Sequence, residues 1–123
     1  MANIAAYKKG WELIERREKV LQEKRRAEAL KIAEDLKDIL VQEFKVSRVI
    51  LFGAVLKKHG FDMDSDIDIA VEGLAKKSYF KAVARLMMQS QFPVDLKPME
   101  DVRESVRKRI AKGVALYEER ASS

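Results

Sequence analysis

The chain has 123 residues, which suffices for one domain with an ordinary core and is too short for two. Apolar residues make up 47% and charged residues 37% of it, a balance typical of a globular protein rather than a disordered one. It has no cysteine and no apolar run of membrane-spanning length, which excludes disulfides, thiolate metal sites and transmembrane helices and favours a cytoplasmic location.

The formal net charge of +5 suits a polyanionic partner such as nucleic acid or the phosphates of a nucleotide. Basic and acidic residues alternate almost throughout, however, which favours a mixed-charge surface over a dedicated nucleic-acid groove. A nucleic-acid-binding protein without chemistry is therefore an alternative that depends on net charge alone, and nucleic acid is not an expected partner.

The N-terminal third predicts one long helix, because the segment from Asn3 to Phe44 has no proline and its only glycine is Gly10. Apolar residues recur in its second half at steps of three and four, so this part of an N-terminal extension, residues 1–44, is expected to pack on the core. The apolar stripe consists of Ala29, Ile32, Ala33, Leu36, Ile39, Leu40 and Phe44.

The first half of this helix offers little to bury, since the charged run from Glu15 to Arg26 contains only Val20 and Leu21 as large apolar residues. A solvated helix with near-neighbour ion pairs is expected, docked at its start by Trp11, Leu13 and Ile14. The alternative is an arm that finds its apolar partner on another subunit, which would make the protein a homo-oligomer through the N-terminal helix.

Two strands and a connecting loop follow. The β-branched and aromatic run Val46 to Phe52 ends at Gly53 and predicts a strand covered on both faces, and Ile67 to Val71 predicts a second, stopped at Gly73. Residues 54–65 are expected to form a loop or a short helix and turn, in which the single histidine, His59, is a loop residue.

The remaining chain predicts a helix from Lys76 to Gln89, a short strand from Val94 to Lys97, and a last helix from Glu100 to about Glu119 with Gly113 as a weak point. Strands and helices therefore alternate, and the expected class is α/β or α+β with a small sheet, its main domain spanning residues 45–123. On the helix predicted from Lys76 to Gln89, the residues expected to share the buried face are Tyr79, Phe80, Val83, Leu86 and Met87.

Three aspartates lie on these strands. Side chains alternate along a strand, so Asp66 and Asp68 point to one side while their apolar neighbours point to the other, and Asp95 has the same surroundings on the third strand. Neighbouring carboxylates repel unless a cation lies between them, and Mg²⁺ is the hard cation that one or two carboxylates plus phosphates usually hold. Three converging carboxylates would suffice for two Mg²⁺ ions bridging an attacking oxygen and a triphosphate.

Structural roles for the acids and a calcium loop are the competing interpretations. Asp66 has an alternative role as a turn or cap residue, and Asp95 as a surface partner of Lys97, whereas a charged Asp68 inside an apolar strand requires a partner. An EF-hand loop fails in both registers, since its sixth and twelfth positions would be Ile67 and Gly73, or Ile69 and Ala75.

The segments Leu51-Phe52-Gly53 and Ser65-Asp66-Ile67-Asp68-Ile69-Ala70-Val71 resemble the signature of the minimal nucleotidyltransferase family, within the DNA polymerase β-like superfamily. The resemblance implies a small mixed sheet flanked by helices and transfer of a nucleoside monophosphate, AMP from ATP, out of a Mg²⁺ complex. It also implies that Asp66 and Asp68 are metal ligands and that Asp95 is the third carboxylate, which helps to hold one metal and activates the acceptor hydroxyl. Many members are antitoxins paired with HEPN-domain toxins, so a tyrosine of a HEPN protein is the implied acceptor.

The chain departs from the signature in the phosphate-binding loop. The family's Gly-Ser is Gly53-Ala54 here, and its Ala-Arg-Gly is absent from the run 55–60. Backbone N–H groups after Gly53 are expected to contact phosphate in place of the missing hydroxyl, and Ser65 is a further candidate nucleotide-binding residue. Lys57 or Lys58 is the candidate basic contact, and plain solvation is the alternative for both. The competing hypothesis is a degenerate, non-catalytic member that acts as a partner-binding antitoxin or scaffold.

Overall fold

A computed structural model describes residues 4–58, 60–62 and 64–120, so the predicted helix start at Asn3 and the loop position of His59 lie outside the described residues. Helix α1 spans Ile4–Phe44, α2 spans Tyr79–Gln89 and α3 spans Glu104–Ala111. The strands are β1 (Arg48–Phe52), β2 (Ile67–Glu72), β3 (Val94–Pro98) and β4 (Val114–Glu118). Short 3-10 turns occupy Gly53–Leu56, Lys76–Ser78 and Met99–Asp101.

The four strands form one mixed sheet in the order β3-β2-β1-β4. β1 is antiparallel to both β2 and β4, whereas β2 and β3 run parallel to each other. The register places Phe52 opposite Asp68 and Asp68 opposite Asp95, so the end of β1 and the beginnings of β2 and β3 meet at one edge of the sheet. The small mixed sheet with flanking helices and a long N-terminal helix confirms the expected fold class.

The sheet has apolar residues on both faces, as the sequence predicts for β1. On one face Val49, Leu51, Ile67 and Ile69 pack with residues of α1 and α2. On the opposite face a smaller cluster brings together Ile50, Phe52, Ala70 and Ile110, the last of these from α3. Because side chains alternate along β2, Asp68 projects to the same face as Ala70, on the side of α3.

Helix α1 packs on the sheet only through its second half, where the buried residues are Ala29, Ala33, Leu36, Ile39 and Leu40. This part of the predicted stripe is confirmed. Every residue from 4 to 21 is exposed, including Trp11, Leu13 and Ile14. The expectation that these three dock the start of the helix on the body is therefore wrong, because this part of the helix extends past the sheet and its large apolar side chains are exposed.

The predicted last helix from Glu100 to Glu119 is also wrong, since its second half is strand β4. The helix ends at Ala111, and Gly113 turns the chain onto the edge of β1. A Cβ atom on Gly113 would lie 2.6 Å from the carbonyl oxygen of Leu51, so the pairing requires glycine at this position. The spacing of Val114 and Leu116 satisfies a strand as well as a helix, and the edge of β1 decides in favour of the strand.

The predicted buried face of α2 is confirmed for Leu86 and wrong for Phe80 and Met87. Ala82 and Leu86 are buried, and the hydroxyl of Tyr79 donates to the carbonyl oxygen of Leu96, 2.9 Å away. Phe80 and Met87 are exposed, because α1 and the sheet cover only a narrow stripe of this helix. None of the helices in the described part of the chain combines the length and apolarity needed to cross a membrane.

Candidate functional site

The three predicted aspartates come together at one edge of the sheet. Asp66 immediately precedes β2, Asp68 is the second residue of β2, and Asp95 is the second residue of β3. One oxygen from each carboxylate lies within 4.8 Å of the others. The parallel pairing of β2 with β3 produces this convergence, because it places Asp68 directly beside Asp95.

The electrostatics of the cluster centre on Asp68, whose side chain is 13% exposed. Burial and, after it, the nearby charge of Asp95 raise the pKa of the Asp68 carboxyl from 3.8 to about 6. Arg109 opposes this rise, while Asp66 adds to it. The protein's own cations therefore do not fully balance the negative charge that the three acids carry when ionised.

This donor set fits a hard divalent cation. The three ligands are carboxylates, they sit within 4.8 Å of one another, and a cation among them would relieve the repulsion that raises the pKa of Asp68. Mg²⁺ typically takes only one or two carboxylates and fills its other positions with water and phosphate oxygens. The arrangement therefore suits a metal that is shared with a phosphorylated ligand.

Gly53 lies directly against the cluster. It has a φ of +82°, in the left-handed region, and begins the 3-10 turn after β1. A Cβ atom on this residue would overlap the Asp68 carboxylate and lie 3.0 Å from its Cγ. Glycine is therefore required twice at this position, for the backbone conformation and for the close approach of the loop to Asp68.

The other residues predicted to bind nucleotide, Ala54, Lys57 and Ser65, lie in three different environments. Ala54 is half-buried and packs against the main apolar cluster, and Lys57 is exposed just after the 3-10 turn. The hydroxyl of Ser65 accepts a hydrogen bond from the backbone N–H of Asp62 at 3.0 Å and lies 3.2 Å from its carboxylate. In this structure Ser65 thus stabilises the turn that leads into Asp66.

Side chains of α1 make hydrogen bonds to the loop between β1 and β2. Arg26 donates from Nε to the carbonyl oxygen of Val55 at 2.7 Å, and Gln22 accepts a bond of 3.4 Å from the backbone N–H of Gly60. The buried ring of Phe61 packs edge-on against Phe92 at a centroid distance of 5.4 Å. These contacts hold the loop between β1 and β2 at the edge of the sheet where the aspartates converge.

Sequence reasoning missed one residue of the site, Arg109. It reaches from α3 across the Phe52 ring, 5.5 Å from the ring centroid, to within 3.7 Å of the Asp68 carboxylate. Its side chain is 58% exposed, so it is free to reorient. The available signal was the turn Arg107-Lys108-Arg109 beside the apolar Val106 and Ile110, but the contact with Asp68 depends on how α3 crosses the sheet.

Asp95 has a cation of its own, since the Lys97 ammonium lies 3.4 Å from its carboxylate. Both side chains are more than a third exposed, so this pair contributes little to stability. The surface pair that the sequence allows is therefore present together with the convergence on Asp68. A lysine paired so loosely can exchange its carboxylate for another anion.

The family model "Polymerase beta, Nucleotidyltransferase" matches residues 34–122. The match begins inside α1 and includes all three aspartates, and it leaves the exposed part of α1 outside. A search of curated proteins found no match.

Solved toxin–antitoxin complexes contain chains of similar fold. A mutant MntA–HpeT complex matches with a TM-score of 0.59 and 21% identity over 69% of this chain and 73% of the other. A toxin–antitoxin complex with AMP-PNP gives 0.59 and 22%, with the same coverages of 69% and 73%. A tri-AMPylated HEPN toxin from Shewanella oneidensis with its MNT antitoxin gives 0.54 and 21%, covering 72% and 71%.

Proposed function

Because the chain belongs to the polymerase β nucleotidyltransferase family, we propose that it transfers a nucleoside monophosphate from a nucleoside triphosphate to an acceptor hydroxyl. The observation that carries the proposal is the convergence of Asp66, Asp68 and Asp95 beside Gly53. A nucleotidyltransferase needs carboxylates for metal ions and a close-approaching loop for phosphate, and these residues supply both.

In the proposed reaction, the acceptor oxygen attacks the α-phosphorus of ATP. The new bond joins that oxygen to phosphorus, the bond to the β-phosphate oxygen breaks, and pyrophosphate leaves. Mg²⁺ held by Asp66, Asp68 and Asp95 would neutralise the triphosphate and lower the pKa of the acceptor hydroxyl. Asp95, on the edge strand β3, accepts the acceptor's proton.

Arg109 and the Gly53 loop take the place of the signature residues that this chain lacks. With the acids neutralised by a cation, the guanidinium no longer has a strong reason to contact Asp68 and is free to contact the triphosphate. Arginine binds phosphate through paired N–H donors, a geometry that Lys57 cannot reproduce. The proposal assigns the nucleotide to Gly53, Ala54, Lys57 and Ser65 as well, chiefly through the backbone of the first two.

The proposed acceptor is a tyrosine hydroxyl of a HEPN-domain protein, and the proposed nucleotide is ATP. Two similar folds support this choice: one is in a complex with AMP-PNP, and one is an MNT antitoxin bound to a tri-AMPylated HEPN toxin. The reaction would take place in the cytoplasm. Self-association through the N-terminal helix is the other predicted interaction.

The test is label transfer from [α-³²P]ATP with Mg²⁺ to HEPN proteins encoded beside the gene, using the Asp66→Ala and Asp68→Ala variants. Asp64→Ala is the matched control, since Asp64 is an exposed acid two residues before Asp66 and outside the cluster. The proposal expects transfer by the wild type and the control and none by the two variants. Transfer that survives both substitutions would refute it.

A degenerate, partner-binding member of the family is the competing function, and Ala54 is the observation that favours it. The alanine methyl packs against the core instead of offering a hydroxyl to phosphate. Calorimetric titration with ATP and Mg²⁺ separates the two. Micromolar binding that EDTA abolishes counts for the enzyme, and absence of binding alongside tight association with a HEPN protein counts for the scaffold.

A further inference from the structure

The exposed start of α1 forms a separate surface, the arm, defined as residues 4–21. All of these residues are exposed, and the large apolar side chains among them are 45–82% exposed. Eighteen residues of helix extend about 27 Å. A helix with this much exposed apolar surface derives little stability from its own chain, which makes it a surface for interaction with another molecule.

The apolar side chains of the arm follow one stripe. Ile4, Tyr7, Trp11, Ile14 and Leu21 are separated by steps of three, four, three and seven residues, the spacing of a coiled-coil seam. Trp11 lies about five turns before the buried Ala29, and Leu21 about five turns before the buried Ile39. The stripe therefore continues the face of α1 that packs on the sheet, beyond the end of the sheet.

We propose that the arm pairs with the arm of a second copy of this chain, in antiparallel orientation. One register satisfies the whole seam: it places Ile4 against the partner's Leu21 and Trp11 against the partner's Ile14. The single charged seam residue, Glu18, then faces the partner's Tyr7, whose hydroxyl can donate to the carboxylate. A parallel pairing would instead place Glu18 against the partner's Glu18, which is unfavourable.

The flanking charges agree with the same register. Lys8 lies beside the seam opposite the partner's Glu15, and the two-fold symmetry of the pair repeats this contact. Gly10, next to Trp11, leaves room for the indole of the facing helix to lie close. A second copy therefore offers both apolar and charge complementarity to the arm.

The surface next to Leu21, the last residue of the arm, also fits this register. A groove between Leu21, Glu28 and Phe92 lies where the register brings the partner's Ile4. Pairing of the arms leaves the aspartate cluster open, because that cluster is on the face of the sheet opposite α1. The two bodies would lie at opposite ends of the paired arms, each with its own site accessible.

The experiment compares sedimentation of the wild-type chain with two double variants. Trp11→Glu/Ile14→Glu places charge in the seam, and Leu13→Glu/Val20→Glu places the same charge on exposed apolar residues outside it. The wild type and the second variant are expected to be dimers, and the first a monomer, with a dimer dissociation constant raised on the order of a hundredfold. A monomeric wild type at about 100 μM, or equal disruption by both variants, overturns the proposal.

Orientation is tested with spin labels, because the chain has no cysteine and a single introduced one is unique. Lys9→Cys and Glu23→Cys both place the label on the face opposite the seam. In the antiparallel register the distance between Glu23→Cys labels exceeds that between Lys9→Cys labels by about 10 Å or more. Equal distances for the two label positions would mean parallel arms and would overturn the register.

Discussion

Two regions of the molecule, the aspartate cluster and the exposed start of α1, carry groups that the described residues do not satisfy, for opposite reasons. At the aspartate cluster three carboxylates converge, and burial together with the charge of Asp95 raises the pKa of Asp68 to about 6. At the start of α1, a stripe of apolar side chains faces water. A stable monomer would avoid both features, and such departures mark sites that bind something. The chemistry of each region is the basis of one proposal: a cation with a phosphorylated substrate for the aspartate cluster, and an apolar helix for the start of α1.

The two regions also differ in how they are built. The carboxylate site depends on tertiary register, since the pairing of β2 with β3 brings Asp68 to Asp95. The arm depends only on helical periodicity. Substitutions in the site should therefore abolish nucleotide chemistry without changing the oligomeric state, and substitutions in the arm should do the reverse.

The largest effect is expected for Asp68→Asn. Removing the most buried ligand should lower nucleotidyl transfer at least about a hundredfold while leaving the dimer intact. Rates of label transfer and sedimentation of the same sample measure the two properties. Loss of the dimer together with activity would show that the aspartate site and the arm do not act independently.

Gly53→Ala is expected to disrupt the site through its backbone. The positive φ and the overlap with Asp68 should together lower the free energy of unfolding by about 2 kcal/mol or more and abolish nucleotide binding. Gly60→Ala is the matched control, because Gly60 has a φ of +96° with open space around it. This control substitution should lower the free energy of unfolding by about 1 kcal/mol. Urea unfolding measures both variants. Equal losses would mean that the approach of Gly53 to Asp68 is unimportant.

Arg109→Ala is expected to raise the KM for ATP about ten- to a hundredfold, the usual loss for a hydrogen bond to a charged group. Arg109→Lys should recover only part of it, because a lysine lacks the paired donors. Lys108→Ala, the exposed neighbour on α3, serves as the control. A KM unchanged by Arg109→Ala would limit this residue to its contact with Asp68.

Acidification is expected to weaken metal binding. The folded-state pKa of Asp68 is raised above its unfolded value, so protonation favours the folded metal-free protein and its stability falls as pH rises from about 4 to 6. Asp68→Asn should remove that slope and make the metal-free protein about 3 kcal/mol more stable at pH 7 than the wild type. Conversely, Mg²⁺ affinity should fall as pH drops below about 6, because the cation binds the ionised carboxylate. Thermal unfolding with and without Mg²⁺ across this pH range tests both signs.

The smallest effect is expected for Ala54→Ser, which restores the signature hydroxyl. One neutral hydrogen bond should tighten ATP binding only about two- to tenfold, provided that the hydroxyl turns toward phosphate from a half-buried position. Calorimetry measures it, with Ala75→Ser, an exposed alanine outside the loop, as the control. Tightening of a hundredfold or more would mean that Ala54 severely impairs the native site.

The features that depend only on local sequence pattern were predicted correctly. The D-x-D spacing on a strand and the glycine after β1 gave the acids and the loop, and three- and four-residue steps gave the buried part of α1. Strand β4 was missed because Val114 to Glu118 fits either structure until the free edge of β1 is known. Arg109 was missed because its contact with Asp68 depends on the crossing of α3 over the sheet. Trp11 was misassigned because periodicity identifies an apolar face without showing where the sheet ends.

A crystal structure of the protein with Mn²⁺ and a non-hydrolysable ATP analogue would show directly whether the three aspartates hold the metal of a bound nucleotide. Manganese takes the same oxygen ligands as Mg²⁺ and is located by its anomalous scattering. We expect an anomalous peak about 2.2 Å from carboxylate oxygens of Asp66 and Asp68, with Asp95 beside it and the triphosphate between the Gly53 loop and Arg109. A nucleotide bound elsewhere, or a peak that does not touch these acids, would contradict it.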